Sequence, residues 1–249
     1  MIDTHAHLES CEGTVPELLA ACRAAGVDRV ITIGCGEASS RWAVATAEAH
    51  PEVFATVGVH PNQASEYKPS DVHWIRELAS HPKVVGIGEC GLDYFRDRAT
   101  PADQMRAFDA QIEIAADLKL PLCIHTREAT DDTLTRLADV PSALPILIHC
   151  FSIPERAEEI IERGWYAAFG GAMTYPKNAD LRAAVAALPA DRLLIETDAP
   201  YLAPQGFRGK PNQPALVAHT LAVLAEARGI DVATADGLTT QNAERLFGL

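Results

Sequence analysis

The sequence begins Met1-Ile2-Asp3-Thr4-His5-Ala6-His7, a short strand-like stretch that ends in two histidines one residue apart. In an extended strand successive side chains point to opposite faces, so His5 and His7 are predicted to point to the same side. Two imidazoles directed at one point form half of a divalent cation site, although two polar surface residues would show the same pattern. The rest of the chain decides between these interpretations.

Seven further apolar runs of strand length follow, with amphipathic stretches between them. This alternation is typical of a parallel sheet covered by helices. The predicted strands span residues 1–5, 29–33, 53–59, 84–89, 121–125, 145–149, 165–169 and 192–196. Helices are predicted at residues 16–25, 104–119, 154–163, 179–188, 213–228 and 242–249.

Chain length and strand number together predict a closed barrel. The chain has 249 residues, and a (β/α)8 barrel typically has about 250. The rival architecture is an open doubly wound sheet, which is disfavoured because no glycine-rich dinucleotide fingerprint follows the first strand. We therefore predict an α/β protein with one (β/α)8 TIM-barrel domain over residues 1–249.

Composition narrows the class of protein. Hydrophobic residues make up 48% and charged residues 22% of the chain, which is ordinary for a globular protein. No apolar run approaches the roughly 20 residues of a membrane helix, and no secretory signal is evident, so a cytoplasmic location without membrane association is expected. The six cysteines include no CxxC pair, which favours reduced, buried thiols over disulfides.

The charge balance limits how nucleic acid could be bound. Against 21 basic residues stand 34 acidic ones, for a formal net charge of −13. Such a chain offers no extended basic surface to a polyanion. A phosphate-bearing substrate would have to be held locally, by metal ions and a few arginines.

Metal-ligating residue types recur at the carboxyl ends of the predicted strands. Barrel enzymes carry their chemistry at that end, so these side chains are expected to converge on one face. Six such ligands are too many for one zinc ion and suit two ions if a carboxylate bridges them. The predicted ligands are His5, His7, Glu89, His125, His149 and Asp198.

Glu89 is the predicted bridge, because its strand lies centrally in the series. His5, His7 and Asp198 are then assigned to one ion with Glu89, and His125 and His149 to the other. Imidazole and carboxylate ligands favour two divalent ions such as Zn²⁺ or Mn²⁺, with Mg²⁺ possible in activity. The absence of a cysteine ligand favours a catalytic site with open coordination positions.

With these residues placed, the chain resembles the TatD family of metal-dependent hydrolases in the amidohydrolase-like superfamily. The resemblance is carried by motifs along nearly the whole chain. These are Asp3-Thr4-His5-Ala6-His7-Leu8, Gly58-Val59-His60-Pro61, Gly88-Glu89-Cys90-Gly91-Leu92-Asp93-Tyr94, His125-Thr126-Arg127-Glu128-Ala129, His149-Cys150-Phe151-Ser152 and Glu196-Thr197-Asp198-Ala199-Pro200-Tyr201-Leu202.

The resemblance implies a barrel of the metallo-dependent hydrolase type, with two metals at the six matched ligands. It also implies hydrolytic activity, because several members are described as DNases that trim strands from the 3′ end. The chain departs from the family pattern at Asn62, Ile153 and Pro211. None of these is a predicted ligand, so the departures concern the substrate rather than the hydrolytic core.

Specific roles are predicted for ligands and for residues near them. Asp198 is predicted to be catalytic together with Glu89, by orienting and deprotonating the attacking water as well as binding metal. Arg127 is expected to contact a phosphate, the alternative being an ion pair with Glu128 or another nearby carboxylate. Asp93 is expected to hydrogen-bond a ligand histidine from behind, the alternative being a loop cap.

Two further residues, His60 and Tyr94, are expected to contact substrate, although packing roles are equally consistent with the pattern. A base could stack on an aromatic ring such as Tyr94, Phe95 or Phe151.

Three functions remain open from the sequence. The first is a deoxyribonuclease that hydrolyses phosphodiester bonds at the 3′ end of DNA. The second keeps the metals but acts as an amidase or esterase on a small molecule or aminoacyl-tRNA. The third is a metal-binding module without catalysis, which the open coordination positions disfavour. No obligate protein partner is evident.

Overall fold

The computed structural model describes residues 1–249, and eight parallel strands dominate it. They form one sheet whose hydrogen-bonded neighbours follow chain order from β1 to β8. The strands are β1 Ile2–Ala6, β2 Arg29–Ile33, β3 Val53–Val57, β4 Val84–Asp93, β5 Leu122–Arg127, β6 Ile146–Ile148, β7 Tyr166–Phe169 and β8 Leu193–Ile195. Most strand residues are buried, as expected for a parallel sheet covered on both faces.

Nine helices accompany the strands. They are α1 Val15–Ala24, α2 Glu37–Ala49, α3 Asp71–Ala79, α4 Pro101–Leu118, α5 Thr130–Ala138, α6 Ala157–Arg163, α7 Ala179–Ala187, α8 Val217–Arg228 and α9 Val232–Phe247. None of them combines the length and apolar character that crossing a bilayer requires.

Local side chains determine where several helices begin. Thr14 precedes α1 and forms a capping box with Glu17, which satisfies backbone N–H groups at the helix start. Thr100 caps the start of α4: its side chain accepts a hydrogen bond from the Asp103 amide, 3.1 Å away. Proline in the first turn of both helices is compatible with these starts, because its missing N–H has no partner there.

The chain forms two compact units, the first made of Met1–Thr32 and His149–Leu249. In this unit β1 pairs with β2, and β7 pairs with β8. A parallel bridge joins Ala6 to Ala199, and the Thr4 hydroxyl donates to the Ile195 carbonyl at 2.9 Å. These contacts place the end of β1 beside the segment that follows β8.

The second unit comprises Ile33–Ile148. Its strands β3 to β6 pair in sequence, and β4 and β5 form the longest of these pairings. In their register Gly91 lies opposite His125, and Asp93 lies opposite Arg127. The carboxyl ends of β4 and β5 therefore run side by side.

Several elements differ from the sequence prediction in their extent, among them β4 and α9, and helices α2, α3 and α5 were not predicted. Strand β4 continues to Asp93, so Glu89 lies within the strand rather than at its end. Helix α9 begins ten residues before the predicted Asn242, because Asp231 caps it by accepting from the Thr234 amide at 2.9 Å. None of the six cysteines forms a disulfide in the structure, and four of them are buried.

Candidate metal centre

In the first unit, two histidines from β1 converge on one carboxylate. The Nε2 atom of His5 lies 3.7 Å from Asp198 Oδ1, and that of His7 lies 3.4 Å from the same oxygen. His5 is completely buried, whereas His7 is partly exposed. Both imidazoles thus point toward one acidic oxygen at the end of β8.

Backbone hydrogen bonds hold these three side chains together. The amide of Asp198 donates to the His5 carbonyl at 2.9 Å, and the amide of His7 donates to the Ala199 carbonyl at 2.8 Å. Because the bonds run directly between the two segments, the side-chain distances depend little on flexible loops.

A second cluster in the same unit contains His149 and Glu196. The His149 ring stacks on the His5 ring, with centroids 3.7 Å apart and planes inclined by 12°. Glu196 Oε1 lies 3.1 Å from His149 Nδ1 and accepts a hydrogen bond from the Cys150 amide at 2.7 Å. Ligand-type atoms of His5, His149 and Glu196 all lie within 4.8 Å of one another.

The environment favours the ionised form of Asp198. Burial opposes ionisation of this carboxyl group, but its pKa is lowered by the hydrogen bond from His7 and by the nearby imidazoles of His149 and His5. The carboxyl group is therefore ionised at neutral pH and can bind a cation.

Asp3 stabilises the arrangement of His5 and Asp198 through hydrogen bonds. It is fully buried and accepts hydrogen bonds from the Thr197 amide at 2.9 Å, the Thr197 hydroxyl at 2.6 Å and the His5 amide at 3.3 Å. Burial raises the pKa of Asp3 to about 8, against the opposing effect of these bonds. Asp3 thus joins the backbone of His5 to the residue that precedes Asp198.

At about pH 4, Asp3→Asn should leave the metal-free protein within about 1 kcal/mol of wild-type stability, whereas Asp3→Ala should lose about 2–4 kcal/mol. The asparagine oxygen can accept both N–H groups while its nitrogen donates to the Thr197 hydroxyl; alanine leaves these buried groups unpaired. Because the folded-state pKa is raised above the unfolded one, wild-type stability should fall relative to Asp3→Asn as pH rises from about 4 to 8. Urea unfolding across pH measures both effects, and equal losses in the two variants would contradict the assignment.

In the second unit, Glu89 lies close to two histidines. The side chain is almost fully buried, and its Oε1 lies 2.7 Å from His125 Nδ1 and 3.5 Å from His60 Nε2. The three side chains bring one ligand-type atom each to within 4.8 Å of the others. The group is therefore a candidate to hold a cation.

Asp93 lies behind His125 in this group. One of its oxygens, Oδ2, is 3.4 Å from His125 Nε2 and accepts a hydrogen bond from the Asn62 side chain at 3.1 Å. Burial tends to raise the pKa of Asp93, but hydrogen bonds from His125, Arg96 and Asn62 together lower it. A carboxylate in this position orients the imidazole ring.

The register between β4 and β5 leaves little space near His125. Gly91 has a φ of +133°, and a β-carbon at this position would lie 2.1 Å from the His125 carbonyl oxygen. A side chain at residue 91 would therefore displace the strand that carries this histidine.

Two residues predicted to contact substrate have partners within the protein. The Tyr94 hydroxyl donates to Asp132 at 2.8 Å, and burial together with this bond raises the pKa of Tyr94 to about 12. The Arg127 guanidinium lies over the Phe95 ring, 3.8 Å from its centroid, rather than against the Glu128 carboxylate. His60, the third such residue, belongs to the Glu89 group.

The six predicted ligands fall into both units. His5, His7, His149 and Asp198 lie together in the first, and Glu89 and His125 in the second. The sequence prediction assigned His149 and His125 to the same ion. In the first unit of the structure, the His149 ring stacks on the His5 ring.

The sequence prediction omitted two cluster members, His60 and Glu196, from the ligand set. His60 follows the predicted strand 53–59 and Glu196 ends the predicted strand 192–196, so the strand-end criterion applied consistently would have included them.

Known proteins resemble this chain over almost its full length. The uncharacterized metal-dependent hydrolase YabD of Bacillus subtilis is 37% identical over 251 residues, which cover 99% of this chain and 98% of YabD. A protein of Cronobacter sakazakii named 3'-5' ssDNA/RNA exonuclease TatD is 40% identical, with 93% of this chain and 90% of the relative covered.

A solved structure resembles the whole chain. The crystal structure of YJJV, a TatD homologue from Escherichia coli K12, superposes with a TM-score of 0.93 at 30% identity and covers 100% of this chain and 98% of YJJV. The predicted fold class, a (β/α)8 barrel, is confirmed by this likeness and by the order of the strands. Residues 2–248 match the family described as TatD related DNase. The chain therefore belongs to the TatD related DNase family of metal-dependent hydrolases.

Proposed function

We propose that this protein is a phosphodiesterase that uses two divalent cations to trim single-stranded DNA from its 3′ end. The observation that carries the proposal is that ligand-type atoms of His5, His149 and Glu196 lie within 4.8 Å of one another, as do those of His60, Glu89 and His125. The name of the Cronobacter relative, an exonuclease of single-stranded DNA and RNA, supports the substrate class. The proposed ligands are His5, His7, Glu89, His125, His149 and Asp198.

The residues present fit divalent cations. Glu196 Oε2 is buried without a hydrogen-bond partner, and a buried carboxylate oxygen of this kind is costly unless a cation occupies its vicinity. The donor atoms are imidazole nitrogens and carboxylate oxygens, a set that suits Zn²⁺ or Mn²⁺ better than Mg²⁺. His60 and Glu196 add to the six proposed ligands as residues able to complete coordination.

Bound cations would polarise a phosphoryl oxygen and lower the pKa of water at the site. In the proposed reaction Asp198, whose lowered pKa keeps it ionised, accepts the proton of the attacking water. His7 Nε2 lies 3.4 Å from Asp198 Oδ1, so the two side chains could hold the same cation. Asp93 orients the His125 ring.

A strand end suits this chain better than a duplex. A net charge of −13 would repel a long polyanion, because each phosphate contact in duplex binding needs a neutralising cation. A single-strand end inserted into the site needs few contacts, which the metals and Arg127 can supply. The amidase or esterase function stays as the competing outcome of the test.

The test is the degradation of single-stranded DNA labelled at either end, with Mn²⁺ or Mg²⁺ added. We expect loss of nucleotides from the 3′ end, and a reduction of at least about 100-fold in His125→Ala. His73→Ala is a matched control, because His73 is exposed on α3. If DNA stays intact with every metal and the protein releases product from a panel of esters, the nuclease function is wrong and the esterase or amidase function is supported.

A further inference from the structure

An aromatic ring and a guanidinium form an exposed pair at the ends of β4 and β5. Phe95 is 54% exposed, so a large part of its ring is accessible to a ligand. The Arg127 guanidinium covers part of the ring at 3.8 Å from its centroid. We propose that Phe95 and Arg127 form a platform on which one unpaired nucleobase of the substrate stacks, next to the phosphate being cleaved.

The platform is anchored to the Glu89 group through Asp93. Asp93 Oδ1 accepts hydrogen bonds from the amides of Phe95 and Arg96, both at 3.0 Å. Its other oxygen lies 3.4 Å from His125 Nε2. The buried Asp93 carboxylate therefore contacts both the backbone of Phe95 and the ring of His125, a proposed metal ligand. The relative positions of these two residues are coupled through it.

The strand pairing sets the distance between platform and ligand. Arg127 follows His125 by two residues on β5, or roughly 6.6 Å along a parallel strand. Arg127 lies opposite Asp93 on β4, and its carbonyl accepts from the Tyr94 amide at 2.9 Å. A base on the platform would thus belong to a nucleotide adjacent to the reacting phosphate.

The chemistry of the pair favours a nucleobase over other flat ligands. A guanidinium is planar, stacks on aromatic faces and binds phosphate oxygens through paired N–H groups. In a chain of net charge −13 it also supplies local attraction for the substrate backbone. Tyr94 is a poorer candidate for this role, because its hydroxyl is bonded to Asp132.

This inference rests on the proposed function and adds a specificity-determining subsite to it. Loss of one stacked base weakens binding by about 5- to 100-fold, independently of sequence, since every base has a π face. Phe95→Ala should therefore raise KM for single-stranded DNA by about that factor while changing kcat little. Phe95→Trp, which keeps an aromatic ring at this position, should have a KM close to that of the wild-type protein.

The experiment compares a short oligodeoxythymidylate with the same strand carrying an abasic residue at one of its last three positions. Wild-type protein should distinguish the two strands at one position, and Phe95→Ala should lose that distinction. Cleavage of a fully abasic deoxyribose phosphate strand, which carries no aromatic ring, should be equal in both proteins. Leu118→Ala, at an exposed apolar residue on α4, is the matched control.

Binding measured by fluorescence anisotropy separates this inference from the proposed function. If the wild-type protein binds the oligonucleotide without cleaving it and Phe95→Ala binds more weakly, the platform stands and the proposed function fails. The platform is overturned if Phe95→Ala binds and cleaves as wild type does. It is also overturned if the base-free phosphodiester is affected as strongly as DNA, or if the wild-type protein binds no oligonucleotide.

Discussion

Asp198→Asn should lower the single-turnover rate of DNA cleavage by about 10²- to 10⁴-fold, the usual contribution of a general base. The amide has the size of the carboxylate and can keep contacts near His5 and His7, but it cannot accept the proton of water. Because the pKa of Asp198 is lowered, wild-type protein should show no loss of activity from this group above about pH 5. Quench-flow or gel assays across pH measure both quantities.

The control for Asp198→Asn is Asp139→Asn, which removes a charge from an exposed position at the end of α5. Metal content is determined on the same preparations, because lost metal and a lost base both reduce the rate. A fully active Asp198→Asn protein would refute its catalytic assignment. A variant that is slow only at low metal concentration would assign Asp198 to metal binding alone.

Glu89→Gln should weaken metal binding by about 100-fold or more, and activity should fall with it. Loss of residues that merely support a ligand costs 10- to 100-fold, so loss of a bridging carboxylate should cost at least as much. Glu89 is 2% exposed and lies 2.7 Å from His125. Replacing a buried charge by a neutral amide of the same size should not reduce the stability of the metal-free protein.

Isothermal titration with Zn²⁺ or Mn²⁺ and thermal unfolding with and without metal test this second result. Wild-type protein should gain thermal stability on metal addition, and Glu89→Gln should gain much less. Glu113→Gln, an exposed carboxylate on α4 in the same unit, is the matched control. Equal metal affinity in wild type and Glu89→Gln would remove Glu89 from the site.

Element positions were predicted well where the signal is local. Strand β2 was placed to the residue, because an apolar run bounded by polar residues specifies it without help from the rest of the chain. The start of α9 was missed because Gly237 and several threonines weaken the helical pattern, and the Asp231 cap overcomes them. The end of β4 was missed because its last residues are held by pairing with β5.

The sequence alone sufficed to identify the eight strands, the metal-ligating residue types near their carboxyl ends and the barrel that they predict. These properties follow from alternation and burial, which act over a few residues. The tertiary structure decided which side chains meet, because that depends on the register between distant segments. Glu196 meets His149 across 47 residues of chain, and Arg127 lies over Phe95 instead of pairing with its neighbour Glu128. Partners of this kind are selected by strand pairing, and no local pattern encodes them.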